Sequence, residues 1–327
     1  MTDDPNPPTD RTGPRASDVA VIVPAFRSGA VLHTALASVA AQTVAPAEVV
    51  VADDASGDDT ADVARAWVDR LPLRVVELPE NRGPGGARRA AVEQSSTPRI
   101  ALLDADDVWL PDHLETLLAV HDHHGGLVTA DALRWIPGVA LATTTVGAGL
   151  PVPPPARQRR AILDHDFVFV ASVFNRCDHD DAGGFRDFRG PEDWDLWIRM
   201  VRKGVVVHRP DHPTVLYRLS SGSISADTRM VDQERTVVRT AIDESSDAED
   251  RETLAATLRR LDAKAALYES YALARSGRPW AARRRAAAGL RGPGRVPVRC
   301  AALLLAPRIA TRARDQRVHE PRWWLRV

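Results

Sequence analysis

Lysine is nearly missing from this chain of 327 residues. Lys203 and Lys264 are the only two, so arginine carries the basic charge and its abundance reflects a compositional bias. Cysteine is as scarce: Cys177 and Cys300 cannot make a disulfide framework, which fits a reducing compartment. No run approaches the roughly 20 apolar residues of a membrane span. Residues 136–156 are almost free of charge but are broken by Pro137, Gly147, Gly149 and a cluster of prolines, and residues 300–306 cover one or two helical turns. Neither sign of charge is in excess. A net charge of −1 gives the whole molecule no pull toward nucleic acid or membrane. The first seventeen residues lack an apolar core and read as a disordered leader, not a signal peptide. Together these absences predict a cytoplasmic protein, with contact at the inner face of a membrane left open.

What is present is an ordinary globular composition, 44% hydrophobic and 27% charged, long enough for one large domain with an appendage. Residues 19–26 (VAVIVPAF) form a short apolar run of the kind buried in a parallel sheet. Residues 48–54 (EVVVADD) repeat it and end in paired carboxylates. Residues 74–78 and 99–107 (RIALLDADD) supply a third and fourth strand, the last again ending in acids. Between them the apolar spacing is helical. Ser56 and Asp59 resemble a capping box before a helix that turns Val63, Ala64, Trp67, Val68 and Leu71 inward. Residues 81–86 are a glycine-rich loop opening another helix, and a fourth runs from Pro111 to a C-cap at Gly125.

This alternation predicts an open, mostly parallel α/β sheet, whose ligands bind beyond the carboxyl ends of the strands. Residues 126–131 extend it by a strand, and a proline-rich insert (PVPPPARQRR) follows. A helix restarts near Asp193 with Trp194, Trp197, Ile198 and Val201 on one face and Gly204 at its end. Residues 205–208 and 214–218 are short strand candidates. The chain beyond Asp227 is helical. The predicted organisation is a leader at 1–17, an α/β domain at 18–226 and a helical, arginine-rich extension at 227–327. From Arg275 onward, fourteen arginines face only Asp315 and Glu320, a local net of +12.

Asp104, Asp106 and Asp107 are three carboxylates in four residues. They repel one another unless a cation neutralises them, and Mg²⁺ or Mn²⁺ bridging a diphosphate is the natural choice. Capping of the next helix by a solvated loop is the plain alternative. Residues 18–225 carry VIVPAF, VADDASGDDT, the loop of Asn81, Gly83, Ala87 and Arg88, LDADD and EDWDLW in order. On these the chain resembles the inverting glycosyltransferases of family 2, with the GT-A fold: a Rossmann-like mixed sheet that binds nucleotide-diphospho-sugars.

The resemblance implies that Pro24, Ala25 and Asp54 line the base and ribose, with Phe26 among the nucleotide-sugar contacts. It implies that Arg88 lies near the diphosphate and that Asp104 and Asp106 form the D-x-D pair, with Asp106 the foremost metal ligand and Asp104 and Asp107 also on the metal. Glu192 and Asp193 are implied as the catalytic pair, Asp193 taking the acceptor proton. A helix N-terminus favours the ionised form of that residue, though an aspartate there also serves as an N-cap. Tyr217, Arg218, Ser220, Ser223 and Ser225 match an element over the diphosphate. The family's usual histidine is replaced by Leu219 and Ser220, leaving His208 or His212 as candidate third ligands, and Arg89 stands where the family usually has Asn.

The implied partners are a nucleotide-diphosphate sugar, a UDP-sugar foremost, and a glycan, lipid-linked or small-molecule acceptor, with no nucleic acid. Peripheral membrane contact through Arg283, Arg284, Arg285, Arg308, Arg312, Trp323 and Trp324 is an alternative to a merely solvated tail. The rival functions are a nucleotidylyltransferase, disfavoured because only Arg27 is basic just after the first strand, and a silent nucleotide-sugar-binding scaffold. A dinucleotide-binding dehydrogenase is rejected, because the glycines at 83–86 lack its spacing and follow the third strand. Other weak candidates are the run His121, Asp122, His123, His124 (read as a solvated helix end), Asp131, Asp166, and Cys177, read as a packed thiol.

Overall fold

Strands that are apolar on both faces, separated by helices that are apolar on one, bury themselves only as a sheet between two helical layers. The computed structural model describes residues 15–138, 140–219, 228–290 and 296–305. Its chain runs β1 (Arg15–Ala16), β2 (Val19–Ala25), α1 (Gly29–Ala40), β3 (Val44–Ala45), β4 (Glu48–Asp53), α2 (Thr60–Arg65), β5 (Leu73–Glu77), α3 (Gly83–Glu93) and β6 (Arg99–Leu102). It continues through β7 (Val108–Trp109), α4 (His113–His124), β8 (Leu127–Thr129), β9 (Ala132–Ile136), β10 (Ala140–Thr145), α5 (Pro155–Asp164), β11 (Ser172–Asn175), α6 (Arg176–Asp181), α7 (Glu192–Arg202), β12 (Val207–His208) and β13 (Val215–Arg218). The helices α8 (Thr228–Asp243), α9 (Ala248–Arg275), α10 (Pro279–Gly289) and α11 (Val296–Leu305) follow.

The main sheet has the order β12-β8-β11-β6-β2-β4-β5. Six strands run the same way, and β11 alone is reversed, antiparallel to both β6 and β8. The interior strand β2 is inaccessible along Val19–Val23, and its residues alternate between two cores. Val19, Val21 and Val23 join Leu36, Leu103 and Leu114 on the α1/α4 side. Ala20 and Ile22 join Ala91, Phe174 and Trp197 on the α3/α7 side. A second sheet, β10-β9-β13-β7, stands beside the first.

The structure departs from the sequence reading in identifiable places. The Ser56 hydroxyl bonds to Asp53 and accepts the Arg27 amide instead of capping a helix, and α2 starts at Thr60 with Asp59 as N-cap. That helix ends at Arg65, so Val68 is exposed and not inward. Residues 132–136 and 140–145 are not a loose stretch: they form the antiparallel pair β9/β10. The proline-rich insert contains α5, with proline in its first turn, where a missing N–H is harmless. Cys177 is exposed, not packed. The expected break at residue 227 is a break in composition but not in packing. Val237, Val238 and Ala241 of α8, with Leu254 and Leu261 of α9, belong to the same core as Trp197. A separate small core of Leu267, Tyr271, Ala286 and Cys300 begins only in the second half of α9. Among the described residues no helix is long and apolar enough to cross a membrane.

Candidate active site

The chain leaves β2 and β4 through two residues in the left-handed region, Arg27 (φ 51) and Ala55 (φ 56). Non-glycine residues are uncommon there, and strain of this kind persists where surrounding contacts enforce it. Here the enforcement is visible. The Arg27 amide donates to Ser56 Oγ at 2.9 Å, the Ser28 amide to Thr60 Oγ1 at 2.8 Å and the Asp54 amide to Ala25 O at 2.8 Å. Asp54 is buried, and its two oxygens accept the amides of Arg82 (2.7 Å) and Gly83 (2.8 Å), which open α3. Burial pushes its pKa up, although those amides oppose the rise. Of the residues assigned to the nucleotide, Ala25 is buried, Pro24 is half-buried, and Phe26 presents an open ring (45% exposed) with the Arg27 guanidinium 5.1 Å from its centre.

Arg88, one helical turn into α3, is the hinge of the site. It is buried, with Nη2 2.5 Å from Asp104 Oδ1 and Nη1 in an ion pair with Glu192. One guanidinium therefore ties the acids beyond β6 to the first turn of α7. Glu192 is itself buried, so it is held by Arg88 and not free to take a proton from an acceptor, contrary to its expected share in catalysis. The glycine loop makes this possible. A Cβ on Gly85 would collide with the Arg186 carbonyl oxygen and crowd Glu192, so only glycine lets α3 approach the segment before α7. Arg189 donates to Asn81 Oδ1 (2.7 Å) and Asn81 O (2.8 Å), and Arg89, the departure from the family pattern, pairs with Asp187 at 2.8 Å. Inside α7, Arg199 bonds Asp195 at 2.6 Å and the carbonyls of Ala182 and Gly184, which fixes the turn leading into the helix.

Asp107 is buried. Its Oδ1 accepts the Arg218 amide at 2.9 Å, and its Oδ2 has no hydrogen-bond partner among the described residues. Arg218 Nε donates to the Asp106 carbonyl at 2.7 Å, and its guanidinium lies 4.5 Å from the centre of the Trp135 ring. Burial, and then the Asp104 charge, push the carboxyls of Asp106 and Asp107 above the ordinary range. A buried oxygen without a partner in a group of crowded acids fits a divalent cation. Among the described residues no group of three or more His, Cys, Asp or Glu is disposed to hold a metal by itself. A cation there would complete its shell with substrate oxygens, the usual habit of Mg²⁺. Neither candidate histidine joins the acids: His208 stacks on His124 at 4.7 Å, and His212 Nε2 lies 3.2 Å from Asp112.

Asp193 lies in the first turn of α7 but is not its N-cap, which is Pro191. It is half-buried, and burial raises its pKa despite the opposing Arg88 charge and the Trp194 amide on its Oδ1 (2.8 Å). The helix end therefore does not dominate, as its position alone had suggested. The structure brings up a further acid: Asp166, just past α5, is raised well above the usual range by burial and then by the Asp193 and Glu234 charges. Trp194 Nε1 bonds the Ile162 carbonyl at 2.8 Å and locks α5 against α7, which explains how residues 166 and 193 come together. Sequence spacing carries no signal for this pair, nor for the Arg88 bridge or the Trp135 stack, because each is made between distant elements.

The remaining candidates have structural partners. Asp131 Oδ1 accepts the amides of Ala132 and Gly147, both at 2.7 Å. His121 is buried, and Asp122 pairs with Arg99 at 2.5 Å, so the histidine run is not a purely solvated end. Ser220, Ser223, Ser225, Arg308, Arg312, Trp323 and Trp324 lie outside the described residues.

Acids beyond the carboxyl ends of a mostly parallel sheet, a second small sheet and a carboxylate-bearing helix tied to those acids through Arg88 match the GT-A class of nucleotide-sugar folds. Solved structures bear this out. The S. aureus TarS 1-349 structure in complex with UDP-GlcNAc aligns over 91% of each chain with a TM-score of 0.60 at 18% identity. The mannosyltransferase PcManGT from Pyrobaculum calidifontis, in complex with GDP-Man and Mn²⁺, aligns over 93% of this chain and 88% of its own with a TM-score of 0.56 at 20% identity. The family model "Glycosyl transferase family 2" matches residues 20–176. The succinoglycan biosynthesis protein ExoU of Rhizobium meliloti (strain 1021) is 32% identical over 241 residues, 68% of each chain. The chain belongs to glycosyl transferase family 2, and it is a glycosyltransferase of that type.

Proposed function

We propose that this protein is an inverting, divalent-metal-dependent glycosyltransferase, moving a sugar from a nucleotide-diphosphate donor to an acceptor hydroxyl. The observation that carries this reading is the Arg88 bridge. It sets the acids beyond β6 and the Asp193 end of α7 on either side of one buried cation. The donor lies over the ends of β2 and β4, near Pro24 and Phe26, with Asp54 holding the loop beneath it. The reacting sugar then sits between Asp106 and Asp193. The acceptor oxygen attacks the anomeric carbon from the side opposite the leaving group. As that bond forms, the bond to the diphosphate oxygen breaks, and Asp193 accepts the hydroxyl proton. A carboxylate whose pKa is raised by burial is a better proton acceptor than an exposed one.

Mn²⁺ or Mg²⁺, held by Asp106 and Asp107, would neutralise the charge growing on the diphosphate as a Lewis acid. Arg218, braced on Trp135, is placed to favour the same anion, while Arg88 is already shared by two carboxylates and acts as a positioning residue. The donors in the TarS and PcManGT complexes, UDP-GlcNAc and GDP-Man, support a nucleotide sugar, with a UDP-sugar the first candidate. Kinship with a succinoglycan biosynthesis protein supports a glycan hydroxyl, free or lipid-linked, as acceptor.

The test is nucleotide release by purified protein from UDP-, GDP- and dTDP-sugars, with and without Mn²⁺, beside Asp106→Ala. Release that requires the metal and vanishes in the variant supports the reading and names the donor. If no donor is hydrolysed, calorimetry decides: binding with Mn²⁺ present but no turnover with any acceptor favours the silent-scaffold alternative, and failure to bind any of them overturns the reading for these donors.

A further inference from the structure

We propose that the outer face of α10 and α11 docks on an anionic phospholipid surface. The argument begins with charge: residues 275–314 contain no Asp or Glu at all, while arginine recurs throughout. Arg285 is neutralised by Glu269 at 2.5 Å. Arg278, Arg284 and Arg299 are exposed, and no ion pair joins them to an acid among the described residues.

The second strand of the argument is apolar. Helix α11 turns Cys300 into the small core with Leu267 and Tyr271, while Val298, Ala302 and Leu305 face outward at i, i+4 and i+7. Val298 is 70% exposed, Leu305 81% and Trp280 of α10 75%. These residues share one edge. The Arg283 guanidinium lies 5.0 Å from the centre of the Trp280 ring, and its Nη2 reaches the Leu305 carbonyl at 3.3 Å. An aliphatic stripe, an exposed tryptophan and unneutralised arginines on neighbouring turns describe a surface that sits at the headgroup boundary without crossing it. At ten residues α11 is too short to span a bilayer.

The same features disfavour other occupants. A second copy docked by two-fold symmetry would set this acid-free face against itself. A nucleic acid would match the arginines but gain nothing from Val298 and Leu305. The inference does not depend on the catalytic reading, and its test measures no catalysis.

The experiment is flotation of the full chain with vesicles of phosphatidylcholine alone or of phosphatidylcholine with phosphatidylglycerol. The expected result is binding to the anionic vesicles only, weakened by salt. Binding should fall about 5-fold for each of Arg284→Gln and Arg299→Gln, and fall further in a Trp280→Ser, Val298→Ser, Leu305→Ser variant. All five side chains are exposed, so an unchanged thermal transition separates lost docking from lost folding. Four results overturn the proposal: equal or absent binding to both vesicle types; anionic binding untouched by the apolar triple variant; binding that the triple variant retains but removal of residues 306–327 abolishes; and concentration-dependent self-association lost in the triple variant while vesicle binding persists.

Discussion

The sheet region, residues 19–218, and the helical region, residues 228–305, are held together by different physics. In the first, a strand such as β2 is buried on both faces and packs against helices from distant parts of the chain, its successive residues alternating between two cores. In the second, each helix packs chiefly on its neighbour in sequence, and the outermost, α11, leaves an apolar face uncovered. The division does not follow the change in composition. Helix α8 and the first half of α9 are pinned to the sheet region by Val237, Leu254 and Leu261, and by the Thr257 hydroxyl on the Leu163 carbonyl at 3.0 Å. Only the second half of α9 with α10 and α11 stands apart. One continuous helix, α9, thus joins the core of the sheet region to the small core of the outer helices.

That comparison breaks if chemistry depends on the outer helices. Asp193→Asn, which keeps the shape and removes the proton acceptor, should lower kcat by about 10²–10⁴-fold. Arg284→Gln and Arg299→Gln should leave kcat with a soluble acceptor unchanged. Steady-state assays with one donor check both, and a large loss from either arginine variant would place those helices inside the catalytic machinery.

Next in size is the Arg88 bridge. Glu192→Gln leaves that buried guanidinium with Asp104 alone and should destabilise the fold by on the order of 3 kcal/mol, read by denaturant titration. Leu254→Ala should cost about 2–5 kcal/mol and shift the same transition. Leu267→Ala, in the small core, should loosen only the outer helices, seen as faster amide exchange in α10 and α11 with activity retained. A single transition shifted equally by both leucine variants would erase the distinction between the two regions.

The smallest effect concerns Asp166. Its pKa is raised in the folded protein, so folding favours its protonated form, and stability falls as pH rises from the unfolded value near 3.9 through the folded one. Asp166→Asn should therefore raise Tm by a few degrees at neutral pH, with the gain shrinking toward pH 4. A gain that does not change with pH would mean that the charge on Asp166 is not its source. The amide is neutral like a protonated carboxyl and should leave the acid limb of kcat close to that of the parent protein.

The strand–helix alternation and the acids at strand ends were legible because burial on both faces, and repulsion between adjacent carboxylates, leave local marks in a sequence. The reversed strand β11 was not, because an isolated four-residue run carries no sign of its direction. The β9/β10 pair was hidden by glycine and proline nearby, and α5 by the prolines that in fact begin it. At the site, the residue types were readable but their employment was not. Asp54 and Glu192 have the chemistry of ligand or base, and nothing in the local sequence announces that Asp54 accepts the α3 amides or that Glu192 pairs with Arg88.

The sequence by itself determined the α/β class, the acidic strand ends and the arginine-rich extension, since each follows from local period, residue type and charge, and the order of its motifs carried the resemblance to the family. Only the tertiary structure decided which acids pair with Arg88, that Asp166 stands beside Asp193, and that α8 shares the core of the sheet region. Those facts depend on which distant side chains share a buried space, and burial is what turns a carboxylate from a solvated charge into a partner, a base or a proton holder.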